Sequence, residues 1–168
     1  MAEKKATVTF DAIMRDLKSG KYAPVYILMG DESYYIDRIT DYIAENVLEP
    51  DDRDFNQTVV FGADTTAAQV VDIAKCYPVM PAAHRVVIVK EAQGLKSLDA
   101  LERYFKKPLA STLLVIAYKN GTIDRRKKVV GKVEAVGVVF ESKKKRDYEL
   151  PTFIETYLKK NHVAIDPK

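Results

Sequence analysis

A single glycine separates an apolar run from two acidic residues early in the chain. The run covers residues 25–29, Gly30 interrupts it, and Asp31 and Glu32 follow, after which apolar residues recur at helical spacing. This pattern is typical of a buried strand that turns tightly into a helix. Nucleotide-binding α/β proteins hold phosphate at such a turn, so phosphate chemistry is the first kind to test against these residues.

The turn lacks the groups that phosphate binding requires. A phosphate loop supplies small residues whose N–H groups approach the anion, and usually a lysine. Here there is one glycine and no lysine, and two carboxylates stand where they would satisfy the helix dipole and repel phosphate. One interpretation is that Asp31 and Glu32 form a metal-binding or acid–base pair. We favour the other, which is that they cap the helix. We therefore predict a nucleotide-binding scaffold whose site, Gly30, Asp31 and Glu32, has lost its chemistry.

A second segment, residues 77–83, carries apolar residues between two prolines. Pro78 and Pro81 bracket Val79 and Met80, so a helix cannot continue and the pair is held on a stiffened turn. Exposed apolar side chains on a rigid loop suit insertion into a pocket of a partner protein. The alternative is that Val79 and Met80 pack into the core beside Tyr77.

Basic residues concentrate in the second half of the chain. Residues 119–146 hold ten Lys or Arg and three acids, although the net charge of the whole chain is only +3. Contact with DNA phosphates is one interpretation of this cluster, and a solvated helix face is the one we favour. The candidate DNA contacts are Arg125, Arg126, Lys127 and Lys128.

Length and composition limit the remaining classes. A chain of 168 residues with 47% hydrophobic and 30% charged residues forms one ordinary domain that buries about 70% of its unfolded surface. Cys76 is the single cysteine, and with two histidines we expect no metal site and no cofactor. No apolar run reaches the roughly 20 residues of a membrane helix, and the first residues do not resemble a signal peptide. We expect a cytoplasmic protein with no membrane partner.

Periodicity predicts an α/β fold. The predicted strands cover residues 25–29, 55–61, 85–89, 112–118 and 137–141. The predicted helices cover 10–17, 36–47, 66–77, 97–107 and 125–136. Strands that are apolar on both faces and alternate with helices indicate a three-layer sandwich around a mostly parallel five-stranded sheet, with an order that periodicity does not supply.

The last part of the chain predicts a second domain. Residues 143–146 are all basic and form a connector, and an amphipathic helix follows from Leu150 with Pro151 in its first turn. We expect residues 1–142 to form the α/β domain and 143–168 the opening of a helical domain in which the chain ends.

Five segments of the chain form a recognisable set, namely PVYILMGDE at 24–32 followed by Tyr35 and Ile36, YPVM at 77–80, RVVIVKEA at 85–92, LLVI at 113–116 and LPxFI at 150–154. With them the chain resembles the N-terminal part of bacterial DNA polymerase III delta subunits, the clamp-loader component that opens the sliding clamp. The segments occur in order along nearly the whole chain. None is catalytic, and their order and spacing together make the resemblance specific.

The resemblance implies a fold related to the AAA+ ATPases and P-loop NTPases without a working ATP site, followed by a helical lid domain and a collar domain. The collar, which assembles the loader with its other subunits, would be absent here. An active ATPase of this class would end its third strand in an Asp-Glu pair, whereas this strand ends Val89-Lys90-Glu91. The resemblance therefore implies a non-catalytic subunit of a DNA polymerase holoenzyme.

The resemblance also assigns the 77–83 segment to binding of the beta sliding clamp. By position Val79 and Met80 would be the hydrophobic wedge, where the best-known family pattern has the bulkier pair Leu-Phe. The full set of expected clamp contacts is Tyr77, Pro78, Val79, Met80 and Pro81, with Gln69, Asp72 and Lys75 as a polar rim. The rival hypotheses are a stand-alone DNA-binding domain and an atypical nucleotide-binding enzyme.

Overall fold

Five parallel strands form the centre of the molecule. In the computed structural model, which describes residues 7–163, the sheet order is β2-β3-β4-β1-β5, and every neighbouring pair is parallel. The strands are β1 Val25–Gly30, β2 Gln57–Phe61, β3 Arg85–Lys90, β4 Thr112–Lys119 and β5 Val138–Ser142. The predicted mostly parallel five-stranded sheet is confirmed.

Helices cover both faces of this sheet, as strands that are apolar throughout require. The helices are α1 Phe10–Lys18, α2 Ser33–Asn46, α3 Arg53–Asn56, α4 Ala67–Ala74, α5 Glu102–Lys106, α6 Lys128–Val136 and α7 Leu150–Lys160. One apolar cluster joins α1 and α2 to the sheet, and a second joins α4, α5 and α6 to the opposite face. The three-layer α/β architecture follows from these two separate cores.

Local side-chain chemistry explains several element boundaries. Thr66 begins α4 with a capping box, in which its hydroxyl accepts from the N–H of Gln69 and the Gln69 side chain accepts from the N–H of Thr66. Glu32 begins α2, and its carboxylate accepts from the N–H of Tyr34 at 3.2 Å. The helix-capping interpretation of the acidic pair therefore holds for Glu32.

Four sequence-based boundaries were wrong, the first being the helix predicted to reach residue 77, which ends at Ala74. The second strand begins at Gln57 because residues 53–56 form α3. The basic helix begins at Lys128, and Arg125 to Lys127 form a turn before it. The helix predicted after Ser97 is a 3₁₀ turn, Leu98–Leu101, followed by α5. Asn56 binds the backbone of Val79, and Arg125 and Lys127 pair with residues of other elements, which are contacts that periodicity does not represent.

Among residues 7–163, no helix combines the length and the apolar character that a membrane crossing would need.

Candidate functional site

The carboxyl ends of β1 and β4 form the usual ligand position of an open α/β sheet. The chain leaves β1 for α2 on one face, and it leaves β4 for α6 on the other face. Ligands of such sheets bind where neighbouring strands diverge in this way. Gly30 and Lys119, which are paired in the β1–β4 register, lie at this switch point.

The N–H of Gly30 and the space beside its Cα are both occupied within the chain. The N–H of Gly30 donates to the carbonyl of Gly121 at 2.8 Å, so this donor is already used. A Cβ at Gly30, where φ is +128°, would lie 2.0 Å from the carbonyl oxygen of Ser142. The glycine therefore allows β5 to approach closely and does not open space for phosphate.

Lys119 lies beside Gly30 at the switch point, and its ammonium group is paired with two carboxylates. Its ammonium lies 2.6 Å from a carboxylate oxygen of Asp37 and 3.5 Å from one of Glu91. Burial lowers the pKa of Lys119, but hydrogen bonding and charge from Asp37 and Glu91 outweigh it and raise the pKa above the ordinary lysine value of 10.5. The one lysine at the switch point is thus held by carboxylates of the chain itself.

The 77–83 loop lies at the opposite edge of the sheet, because it precedes the amino end of β3. Its apolar side chains face solvent: Tyr77 is 74% exposed, Val79 50% and Met80 82%. The core-packing alternative for Val79 and Met80 does not hold. Pro78 is half-buried, Pro81 is exposed, and the peptide bond between Met80 and Pro81 is cis.

A buried asparagine holds the base of this loop. Asn56 is 1% exposed; its amide oxygen accepts from the N–H of Val79 at 2.6 Å, and its amide nitrogen donates to the Val79 carbonyl at 3.1 Å. Ala82, which is buried, donates its N–H to the same carbonyl at 3.2 Å. The backbone is anchored on both sides of Met80 while the side chains at the tip remain free.

The helix that leads into the loop is anchored in the same way. The carbonyl of Ala74, at the end of α4, accepts hydrogen bonds from the hydroxyls of Thr112 at 2.9 Å and Tyr104 at 3.4 Å. Thr112 and Tyr104 are both buried. These bonds replace the helix continuation that Pro78 prevents.

The three expected rim residues do not lie together. Gln69 is in the first turn of α4, at the end remote from the loop, and its side chain is used in the capping box. Asp72 lies one turn nearer, and Lys75 is the C-cap residue of α4, two positions before the loop segment. Of the three, Asp72 and Lys75 are therefore the residues nearer the loop.

Comparison with known proteins identifies the family. The family model described as DNA polymerase III, delta subunit, matches residues 26–143. This chain belongs to that family. Gly30, the 77–83 loop and Lys119 all fall within the part of this delta-subunit chain that the model matches.

Individual relatives agree with this assignment. DNA polymerase III subunit delta from Bacillus subtilis (strain 168) is 28% identical over 156 residues, which cover 87% of this chain and 44% of the relative. The solved structure of the Bacillus subtilis DNA clamp loader delta protein (YqeN) matches with a TM-score of 0.76 at 26% identity, covering 91% of this chain and 48% of that one. The chain thus spans about half the length of these two delta proteins.

In this delta-family chain the candidate DNA-contact residues are occupied by ion pairs. The guanidinium of Arg125 contacts Glu134 at 3.0 Å and Glu141 at 3.2 Å. The other pairs are Arg126 with Asp124 at 2.8 Å and Lys127 with Asp99 at 3.3 Å. The side chain and N–H of Arg126 lower the pKa of Asp124. Phosphate would have to displace carboxylates from three of the four residues.

Sequence reasoning missed the two residues that organise these sites. Asn56 was placed inside a predicted strand, and Lys119 was counted only as one of many basic residues. The available signals were weak: Asn is unfavourable in a strand, and a polar residue ends a strand that is otherwise apolar. Within the described residues, no group of three or more His, Cys, Asp or Glu is placed to hold a metal ion.

Proposed function

We propose that this chain is the clamp-binding part of a non-catalytic delta subunit, which binds the beta sliding clamp and opens it for DNA replication. Val79 and Met80 insert into a hydrophobic pocket of the clamp as a wedge. The rest of the subunit joins the other clamp-loader subunits, and residues 125–128 contact DNA only through that complex.

The observation that carries this proposal is the exposed loop tip on an anchored base. Val79 and Met80 are at least half exposed, whereas Ala82 beside them is buried in the core. A wedge needs apolar side chains that are already presented, because ordering a flexible loop on binding would cost conformational entropy. The hydrogen bonds from Asn56 supply that order before the partner arrives.

The energy available from the tip is sufficient for specific binding. Full burial of an apolar side chain of this size contributes about 1.5–3 kcal/mol, and a change of about 1.4 kcal/mol alters affinity tenfold. A ligand shifts the equilibrium between two conformations only if it binds one of them more tightly. The wedge must therefore bind the open-competent clamp more tightly than the closed clamp. Valine and methionine fill less volume than Leu-Phe, so the pocket of this clamp is expected to be correspondingly smaller.

The closed switch point supports a subunit without its own nucleotide chemistry. The N–H of Gly30 and the ammonium of Lys119, two donors at this point, are bound within the chain. The energy for clamp opening then comes from binding by this loop, under the control of other subunits.

The test is the double substitution Val79→Ser and Met80→Ser, assayed for binding to the clamp of the same organism by surface plasmon resonance. We expect affinity to fall at least about 30-fold, which corresponds to about 2 kcal/mol of lost apolar burial. The melting temperature should change little, because both side chains are exposed.

A matched control removes two exposed apolar side chains from α7. Leu150 and Ile154 are 40% and 46% exposed, and changing both to serine should leave clamp binding within about twofold. Unchanged affinity in the loop variant, or equal loss in the control, would contradict the wedge.

A further inference from the structure

A crevice between α1, the beginning of α2 and α7 is lined by none of the residues of the Gly30 turn or of the 77–83 loop. Its volume is about 960 Å³. Five aromatic residues line it, each only partly buried: Phe10, Tyr34, Tyr35, Phe153 and Tyr157. Contacts between neighbouring rings, with centroids 4.9–6.4 Å apart, join the three helices into one wall.

Basic side chains surround these rings. The lining contains one carboxylate, Asp11, and five cations, which are Arg15, Lys18, Arg38, Lys145 and Lys160. Asp11 lies 3.9 Å from Lys160, and Arg15 lies 3.9 Å from Asp16. Within residues 7–163, Lys18, Arg38 and Lys145 have no salt bridge, in contrast to the paired residues Arg125 to Lys127.

We propose that this crevice binds single-stranded nucleic acid, with bases against the aromatic side chains and backbone phosphates at the unpaired cations. Aromatic side chains beside a basic groove are the combination by which proteins bind single strands. In the crevice, one cation lies directly over an aromatic ring. The ammonium of Lys145 is 5.1 Å from the ring centroid of Phe153, which is a cation–π contact.

The spread of the cations favours a polynucleotide over a single nucleotide. Lys145 lies beside Phe153, near the start of α7, and Lys160 is the last residue of that helix. Lys160 follows Phe153 by seven positions, which is a rise of about 10 Å along the helix axis. One phosphate group cannot contact both lysines, whereas successive phosphates of a strand reach both ends.

The experiment is fluorescence anisotropy of the 168-residue chain with a labelled dT oligomer of about 12 nucleotides, within the range of known site sizes. We expect binding at about 50 mM salt that weakens on a log–log plot with a slope of about −2 to −3.5, as three to five phosphate contacts require. Absence of binding would overturn the proposal.

Two variants locate the site. Arg38→Glu with Lys145→Glu should weaken binding at least about tenfold by charge repulsion. Tyr157→Leu, which keeps apolar bulk and removes the flat ring, should weaken it about fivefold or more because stacking contributes about 1–3 kcal/mol per base. Unchanged melting temperatures would show that both variants remain folded.

A matched charge control is Lys96→Glu with Lys107→Glu, which changes net charge equally at exposed residues outside the crevice. It should change affinity by less than about twofold, because charges beyond about 10 Å are screened. Equal weakening would mean non-specific attraction and would overturn the site.

Competing ligands complete the test. Equal binding of rU and dT oligomers supports the proposal, since no contact at the 2′ position is required. If free ATP displaces the oligomer at equal nucleotide concentration, the crevice is a mononucleotide pocket and the proposal fails. No clamp is present in this assay, so its outcome is independent of the wedge.

Discussion

The Gly30 turn and the 77–83 loop occupy opposite edges of the sheet and satisfy their backbones in opposite ways. At the carboxyl edge, the N–H of Gly30 and the ammonium of Lys119 both bind groups of the chain itself. At the amino edge, Asn56 binds the backbone of Val79 and leaves the apolar tip in solvent. The same need to pair buried polar groups closes one site and presents the other.

The largest effect should come from Gly30→Ala. The new Cβ would meet the Ser142 carbonyl, and φ at this residue is positive, so β5 must shift. We expect a loss of at least about 3 kcal/mol in the free energy of unfolding, measured by urea denaturation.

Gly20→Ala is the control for backbone conformation alone. Gly20 has φ of +77° and no atom within 4 Å of the Cβ position, so only about 1–2 kcal/mol should be lost. Equal losses at both glycines would mean that close packing of β5 is not what requires Gly30.

Asn56→Ala should lower stability less than Gly30→Ala does, and it should lower clamp affinity more. Leaving the N–H and carbonyl of Val79 without this side chain should cost about 1–3 kcal/mol in the free energy of unfolding. Clamp affinity should fall about fivefold or more, because the loop loses its fixed base. Denaturation and surface plasmon resonance measure the two quantities.

Asn46→Ala controls for loss of an asparagine amide. Asn46 is exposed and donates only to the carbonyl of Tyr42 within its own helix, so stability should change by less than about 0.5 kcal/mol. If the Asn56→Ala variant binds the clamp with full affinity, anchoring of the loop is not required for clamp binding. The comparison between the two edges of the sheet then fails.

The smallest effect should come from Lys119→Met, which keeps an apolar stem and removes the charge. Loss of the contacts with Asp37 and Glu91 should cost about 1 kcal/mol at neutral pH. Because the folded pKa of Lys119 lies above its ordinary value of 10.5, this contribution is fully present below that value and is lost as pH rises through the raised pKa.

Lys106→Met provides the matched surface pair. The ammonium of Lys106 lies 4.0 Å from Glu102 on an exposed helix face and should contribute only a few tenths of a kcal/mol. A stability difference for Lys119→Met that grows at alkaline pH would refute the assigned ion pair.

Most of the fold was predictable because burial leaves a periodic record. The fully apolar run of β1 predicted an interior strand, and Ile36, Ile39 and Ile43 predicted the buried face of α2. The start of β2 was wrong because Asn56 turns inward to bind a residue 23 positions later. The pattern of apolar and polar residues along the sequence does not record a hydrogen bond between residues so far apart.

The candidate site was predictable in part for the same reason. Two prolines around Val79 and Met80 predicted an interrupted helix, but exposure of the pair depended on what packs beneath it. The basic residues from Arg125 were predicted as one helix face, yet Glu141 and Asp99 arrive from other elements to pair with them. The sequence does not distinguish a basic residue that pairs with a carboxylate in the fold from one that does not.

The sequence by itself determined the alternation of strands and helices, the missing phosphate-loop chemistry at Gly30 and the break at Pro78, because each depends on neighbouring residues. Only the tertiary structure decided that Lys119 occupies the switch point and that Asn56 presents the apolar loop. It also placed the aromatic rings of α1, α2 and α7 beside unpaired cations. These arrangements join residues far apart in the chain, and their partners are chosen by packing in three dimensions.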